Sequence, residues 1–372
     1  MLNSLQGCRA VAALLVVFYH TSHGIFRLPK YFGHKPFGPI FDFGFAGVDF
    51  FFVLSGFIIM YAHARDLGEP RRLGAYLWKR FSRVYPAYWI VLAAILPVYF
   101  LIPDFGLASQ RDPDVIARAI FLFPHPDGYP VLGVAWTLVN EIFFYAFFAL
   151  LILNKRFGIA IFLAWSGLVI AYPWYGPGYG PGTYPASFLF SAYYLRFLAG
   201  LVVALVVQRW QVPMPRVVAA VGVALFLTTG LADSYYGPLL ERTRMIGFTL
   251  GSALMIAGLV QAEKWNLIAM PRWLVYLGNA SYSIYLVHFL ALSILAKLAK
   301  AVHLDAMLPG TVLFSLHIFG AVGVGCLFHH LIEKPLHNWT RQKYQRPATP
   351  SLAIEPPCLA MEPAHADVRM AA

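Results

Sequence analysis

Long apolar segments separated by short polar ones dominate this chain. A bilayer core of ~30 Å needs about 20 helical residues, and apolar runs of roughly that length recur about ten times. They lie at 10–26, 45–62, 84–102, 134–153, 157–173, 187–207, 216–232, 245–261, 276–298 and 311–331. A chain in lipid must satisfy its backbone hydrogen bonds internally. The pattern therefore predicts an all-α polytopic membrane protein with about ten transmembrane helices.

The distribution of basic residues predicts the topology. A net charge of +11 would suit a nucleic-acid partner, but the lysines and arginines lie mostly in short segments between apolar runs rather than in one stripe. The segment 62–83 is the most basic internal one. Placing it and most other basic residues in the cytoplasm puts both termini there as well. We expect no nucleic-acid partner.

Composition divides the chain into two parts. With 59% hydrophobic and 12% charged residues, the chain is too apolar for a soluble domain. Residues 1–345 are predicted to form one membrane domain, and the Pro- and Ala-rich segment 346–372 a disordered cytoplasmic tail. The three cysteines have no metal-ligand spacing, and no metal site is predicted.

The first apolar run carries two ionisable residues, Arg9 and His20. Eleven residues are almost a whole number of helical turns, so the two side chains are expected on one face, ~16 Å apart along the axis. Ionisable groups inside a membrane are costly and usually functional. The alternative is a snorkelling arginine and a histidine hydrogen-bonded within the bundle.

Two carboxylates are also predicted inside the membrane. Asp49 lies near the outer end of the second run, where a hydrogen bond to His20 would fix the imidazole tautomer and leave the other nitrogen as a base. The alternative is a carboxylate that stabilises the start of the helix. Glu141 lies in the fourth run, where a carboxylate must pair with another group, take a proton or line a wet cavity. The alternative is a purely structural carboxylate that pairs with a buried arginine or histidine, such as Arg196. Ser55 is expected to permit close helix packing rather than to act as a nucleophile.

Arg80 and Arg83 are neighbours on one helix face just before the third run. A guanidinium pair suits phosphate through bidentate hydrogen bonds, and the alternative is simple anchoring at the cytoplasmic surface. His329 and Glu333 are spaced like a pair of metal ligands, but two ligands alone are weak evidence for a site.

Together these segments resemble the acyltransferase type 3 family of integral membrane acyltransferases, in particular its exopolysaccharide-acetylating branch, over about residues 3 to 340. One departure is Ala10, where the family commonly has glycine, so close packing there is expected to differ slightly. The matching motifs, in chain order, are Arg9 with His20, GVDFFFVLSGF at 47–57, Arg80 with Arg83, WTLVNEIFFY at 136–145, SYSIYLVH at 281–288 and EKP at 333–335.

The resemblance implies an O-acyltransferase of the bacterial inner (plasma) membrane. It would move an acyl group, acetyl by default, from cytoplasmic acyl-CoA to a hydroxyl of an extracytoplasmic or lipid-linked polysaccharide. No resident cofactor is expected, and the partners are acyl-CoA, the carbohydrate acceptor, membrane lipid and other polysaccharide-biosynthesis proteins. The expected catalytic residues are His20 as base, Asp49 as its orienting partner, and Glu141, which could bind the acceptor sugar, share a proton or hold the cavity together. Arg9, Arg80 and Arg83 are the expected ligands of the CoA phosphates.

Three questions stay open at this point. Many relatives append an SGNH-type esterase domain, for which this chain has no room, so the acyl group is expected to pass directly to the acceptor or to a separate protein. His20 could attack the thioester itself or only remove a proton. A proton-coupled transporter or flippase, with His20, Asp49 and Glu141 as a relay, is the rival function, and a membrane scaffold within a synthase complex is a third.

Overall fold

A computed structural model describes residues 2–102, 105–126, 130–176 and 182–344. Within these ranges all regular structure is helical, and ten segments are long and apolar enough to cross a membrane. The predicted fold class is therefore confirmed, while the predicted tail at 346–372 lies outside the described residues. The ten segments are Asn3–Phe26, Asp42–Asp66, Pro70–Leu101, Gly133–Leu153, Lys155–Tyr172, Ala186–Arg209, Pro215–Tyr235, Glu241–Lys264, Ser281–Ala301 and Gly310–Thr340.

Some of these segments contain more than one helix; Ala186–Arg209, for example, contains a short helix and a long one. The α-helices of the described residues, in chain order, are α1 (Asn3–Tyr19), α2 (Ala46–His63), α3 (Leu73–Leu101), α4 (Pro113–Phe121), α5 (Trp136–Leu153), α6 (Lys155–Tyr175), α7 (Ala186–Leu189), α8 (Tyr193–Arg209), α9 (Pro215–Tyr235), α10 (Glu241–Lys264), α11 (Arg272–Asn279), α12 (Ser281–Ala301), α13 (Leu304–Met307), α14 (Gly310–Phe328) and α15 (Lys334–Tyr344). Helix α3 begins well before the predicted run at 84–102, so Arg80 and Arg83 lie within this helix, on a helix face as predicted.

The backbone of α1 changes character at the candidate base. Beyond Tyr19 the chain continues as a wider π-helix, His20–Phe26. Such π segments are rare and occur frequently at functional sites. The first residue of this segment is His20 itself, so the candidate base lies at the junction between the α-helix and the π-helix.

Helices α2 and α8 approach each other very closely. A Cβ atom on Gly56 would collide with the backbone carbonyl of Phe197, and one on Gly200 with that of Val53. Glycine at such positions lets two helix backbones meet in a membrane. This contact holds the two helices in a fixed register and brings their polar residues to the same level of the bundle.

The helices that carry the predicted site residues lie at the centre of the bundle. Helices α1, α2 and α12 are the most enclosed, whereas α6, α9 and α14 are the least. The outer helices expose large apolar side chains such as Leu163 and Phe319, as expected of surfaces that face lipid tails. The ionisable residues of α1 and α2 are therefore screened from lipid by other helices.

Candidate active site

Two cavities occupy the centre of the bundle. The first, here called the arginine cavity, has a volume of about 90 Å³, and its lining includes Arg9, Ser55, Arg80, Arg83, Glu141, Tyr145 and Ser281. The second, here called the histidine cavity, has a volume of about 610 Å³, and its lining includes Tyr19, His20, Asp49, Trp136, Tyr193, Arg196, Glu241 and Arg244. Val48 and Tyr285 line both cavities and separate them.

Arg9 and His20 both face helix α12. The Nε and Nη2 atoms of Arg9 donate to Ser281 Oγ, at 3.1 and 2.9 Å. The ring of His20 meets that of His288, two helical turns further along α12, with 3.2 Å between His20 Nδ1 and His288 Nε2. The expectation that Arg9 and His20 share one face is therefore confirmed. Arg9 is 6% exposed, so it lies inside the bundle rather than at its edge.

The hydrogen bonds of the two histidines fix their tautomers. His288 Nδ1 lies 2.6 Å from the carbonyl oxygen of Tyr285, and a carbonyl only accepts, so Nδ1 carries the proton and Nε2 is an acceptor. His20 Nδ1 lies 3.0 Å from the carbonyl oxygen of Val16 and therefore also carries a proton, which it shares with His288 Nε2. The lone pair on His20 Nε2 is left for another group, as a general base requires.

Asp49 has a different partner from the one predicted. Its carboxylate forms an ion pair with Arg196 of α8, and both side chains are buried. Helices α2 and α8 run in the same direction, because Asp49 meets Arg196 near their starts and Gln208 donates to the carbonyl of Tyr61 near their ends. A buried carboxylate needs a cation more than a neutral ring. The predicted hydrogen bond between Asp49 and His20 is therefore absent from the described residues, and His20 instead hydrogen-bonds to His288.

Glu141 faces the arginine cavity. Its Oε1 atom accepts hydrogen bonds from Ser55 Oγ, at 2.9 Å, and from the hydroxyl of Tyr145. The alternative of Arg196 as its mate is therefore wrong, since that guanidinium pairs with Asp49. Ser55 was expected to serve helix packing, but it is a hydrogen-bond donor to the buried carboxylate.

Arg80 is oriented by a chain of polar groups. Its Nη2 donates to His63 Nε2 at 3.0 Å, and His63 Nδ1 donates to Asp66 Oδ2 at 2.8 Å. The guanidinium also lies 5.3 Å from the centre of the Tyr145 ring, within range of a cation–π contact. In the described part of the chain, its buried Nε–H has no hydrogen-bond partner. An unpaired buried donor is costly unless a ligand uses it.

Arg83 faces two spaces. It lines the arginine cavity and also a third cavity of about 190 Å³, which contains Asn279, Lys334 and His337. Among the described residues, Arg83 has no hydrogen-bond or ion-pair partner. Arg80 and Arg83 thus line the same cavity, each with a donor that is not used within the described part of the chain.

Sequence reasoning missed the residues that support this site. His63 carried no signal of its own, and Ser281 appeared only as the first residue of SYSIYLVH, because the roles of both depend on contacts with distant helices. His288 was visible within SYSIYLVHF but as a weak signal. His329 and Glu333 hydrogen-bond to each other at 2.6 Å, and no group of three or more potential metal ligands occurs among the residues that the structure describes.

Fold and site define a class of protein: a multi-pass membrane protein whose helices enclose a pair of histidines and a group of arginines. A family model described as "Acyltransferase domain" matches residues 2–330. The chain belongs to this acyltransferase family and is a membrane acyltransferase.

Relatives of known name agree with this assignment. "Exopolysaccharide production protein ExoZ" of Rhizobium meliloti (strain 1021) is 29% identical over 308 residues, which cover 80% of this chain and 91% of the relative. "Putative O-acetyltransferase SACOL0978" of Staphylococcus aureus (strain COL) is 25% identical over 374 residues, covering 90% of this chain and 57% of the relative. No solved structure matches the chain.

Proposed function

We propose that this protein transfers an acetyl group from cytoplasmic acetyl-CoA to a hydroxyl of an extracytoplasmic or lipid-linked polysaccharide, in a bacterial inner membrane. The observation that carries the proposal is the free Nε2 of His20, held in a cavity that adjoins the arginine cavity across Val48 and Tyr285. The name of the exopolysaccharide-production relative supports a carbohydrate acceptor.

The donor enters from the side of the arginine cavity. With the amino terminus in the cytoplasm, Arg9 lies nearer that side and His20 nearer the outside, ~16 Å apart along α1. The unused donors of Arg80 and Arg83 suit the phosphates of CoA, because a guanidinium binds phosphate bidentately. The extended pantetheine arm then carries the thioester toward Tyr285 and the histidine cavity.

The chemical step is a direct transfer. His20 Nε2 removes the proton of the acceptor hydroxyl as that oxygen attacks the thioester carbonyl carbon. The tetrahedral intermediate expels the CoA sulfur, so a C–O bond forms and the C–S bond breaks. The protonated His20 returns its proton to the CoA thiolate. His288 and the carbonyl of Val16 hold the Nδ1 proton of His20 in place throughout.

The two buried carboxylates have supporting roles in this mechanism. Glu141 receives hydrogen bonds from Ser55 and Tyr145 and supplies negative charge beside three arginines, which limits their mutual repulsion. Asp49 holds Arg196 at the wall of the histidine cavity. Both are positioning residues rather than acids or bases.

The contacts do not support a proton relay through these three residues. His20 bonds to His288, Asp49 pairs with Arg196, and Glu141 bonds to Ser55 and Tyr145. No hydrogen bond among the described residues connects any two of His20, Asp49 and Glu141. These contacts therefore favour the acyltransferase over the transporter alternative.

The test compares ester-linked acetate on surface polysaccharide in a deletion strain that is complemented with the parent chain, His20→Ala or His317→Ala at matched membrane abundance. His317 is a matched control, because it is buried and its Nδ1 donates to the carbonyl of Leu313 at 2.7 Å, but it lines neither cavity. We expect His20→Ala to lose at least about 100-fold, as removal of a general base does. Equal acetate with both variants would refute the proposal.

A further inference from the structure

The histidine cavity has an aromatic wall that the mechanism above does not use. Trp136 at the start of α5 and Tyr193 at the start of α8 both line the cavity, with ring centres 5.0 Å apart. The guanidinium of Arg196 lies over the Tyr193 ring at 4.8 Å and is anchored by Asp49. The wall therefore consists of rings held in place on two rigid helices beside His20.

Positively and negatively charged side chains line the cavity around these rings. Arg196, Arg244, Asp49 and Glu241 all line the cavity, so its charged side chains balance. Arg244 also lies 3.8 Å from Asp233. Both arginines thus have a carboxylate nearby, and the lining carries no excess positive charge that would select an acidic ligand.

We propose that this wall, with Trp136 and Tyr193 as its platform, is the acceptor site and that it takes a neutral pyranose unit of a glycan. The inference rests on the proposed function. Aromatic faces pack against the C–H face of a sugar ring, while charged side chains hydrogen-bond strongly to its hydroxyls. A cavity of about 610 Å³ lies within the ~300–1,000 Å³ range of ligand pockets. A hydroxyl of the stacked sugar then meets His20 Nε2.

The chain offers a matched control for the aromatic pair. The rings of Trp165 and Tyr194 lie 4.9 Å apart, are buried, and contribute nothing to the histidine cavity. Substitution in either pair removes an aromatic contact between helices. Only substitution of Trp136 or Tyr193 would also remove a contact with the proposed acceptor.

The test uses purified protein in nanodiscs, acetyl-CoA, and unacetylated exopolysaccharide fragments from the deletion strain. We expect Trp136→Ala and Tyr193→Ala to raise KM for the fragments about tenfold while KM for acetyl-CoA stays within about twofold. Trp136→Phe and Tyr193→Phe, which keep an aromatic face, should recover most of this loss. Trp165→Ala and Tyr194→Ala should leave both KM values near the parent's.

Three results separate the possible failures. If the parent shows no His20-dependent transfer to the fragments, the proposed function falls and the acceptor site with it. If transfer occurs but alanine at Trp136 and Tyr193 changes KM for the fragments no more than alanine at Trp165 and Tyr194, the proposed function stands and the proposed acceptor site is wrong. NMR of the acetylated product assigns the modified sugar, and acetate found on a uronic acid rather than on a neutral pyranose would overturn the proposed sugar class.

Discussion

The arginine cavity and the histidine cavity differ in how their polar groups are used. In the arginine cavity, the buried Nε–H of Arg80 has no hydrogen-bond partner among the described residues, and Arg83 has no ion-pair partner there. In the histidine cavity, Arg196 is paired with a carboxylate and Arg244 lies near one. This difference is the one expected if the arginine cavity takes the proposed anionic donor and the histidine cavity the proposed neutral acceptor.

The boundary between the cavities is narrow. Tyr285 and Val48 line both, and the Tyr285 hydroxyl lies 2.9 Å from Thr137 Oγ. The tyrosine is thus held by a hydrogen bond between α12 and α5. Donor and acceptor can therefore occupy separate spaces and meet only at the reacting atoms, which is how an enzyme gains from orientation without mixing two binding sites.

We expect the largest effect, a loss of stability, from Asp49→Ala, which tests whether Asp49 has a structural role. Asp49→Ala leaves the guanidinium of Arg196 buried without its carboxylate, which costs ~3–5 kcal/mol of stability. We expect a marked fall in Tm of the purified protein. The double variant Asp49→Leu with Arg196→Leu removes both charges and should recover much of the loss. If Asp49→Ala instead keeps its Tm and loses only activity, Asp49 acts in the reaction.

The next effect concerns the donor side. Arg80→Ala with Arg83→Ala removes two charge-assisted contacts to phosphate, each worth ~1.5–3 kcal/mol. We therefore expect KM for acetyl-CoA to rise at least about 100-fold, measured with purified protein. The matched control is Arg71→Ala with Arg72→Ala, which removes the same charge from two exposed positions of the same basic segment. An equal effect of both pairs would mean that only net charge matters.

His288 supplies the third test. His288→Leu removes one of the two acceptors of the His20 Nδ1 proton and leaves the carbonyl of Val16 as the other. A hydrogen bond of this kind is worth ~0.5–1.5 kcal/mol, which corresponds to a loss of up to about tenfold in activity. We expect the fall in kcat, with KM for acetyl-CoA little changed. His288→Gln keeps an acceptor and should recover part of the activity. His317→Leu on α14 serves as the control for removing a buried histidine.

A change in the pH profile distinguishes positioning from packing at this residue. If His288 orients the base, the pH dependence of kcat should differ between His288→Leu and the parent, because a neighbour of the titrating His20 is gone. A variant that loses activity with an unchanged profile, and that Gln does not rescue, would show that His288 only fills space.

The sequence predicted the helical fold well and the contacts of the candidate site only in part. Apolar runs set the helix count, because span length follows from bilayer thickness. The eleven-residue spacing of Arg9 and His20 fixed their common face, because helical periodicity is local. The partners of the buried charges were not predictable, because the Asp49–Arg196 pair depends on how α2 and α8 pack.

The smallest expected effect concerns the orientation of Arg80. His63 Nε2 accepts from Arg80 Nη2, and Asp66 holds the opposite side of the imidazole. His63→Leu removes this acceptor but leaves the guanidinium over the ring of Tyr145. One hydrogen bond to a charged group is worth ~1.5–3 kcal/mol at most, and the cation–π contact retains part of the orientation.

We therefore expect KM for acetyl-CoA to rise less than about tenfold in His63→Leu, with KM for the acceptor fragments unchanged. His330→Leu, an exposed histidine outside both cavities, is the control. In a variant that already lacks Arg80, His63→Leu should have no further effect on KM for acetyl-CoA, because the arginine that His63 orients is gone. An additional loss in that background would mean that His63 contacts the donor directly, so the arginine cavity would extend beyond its present lining.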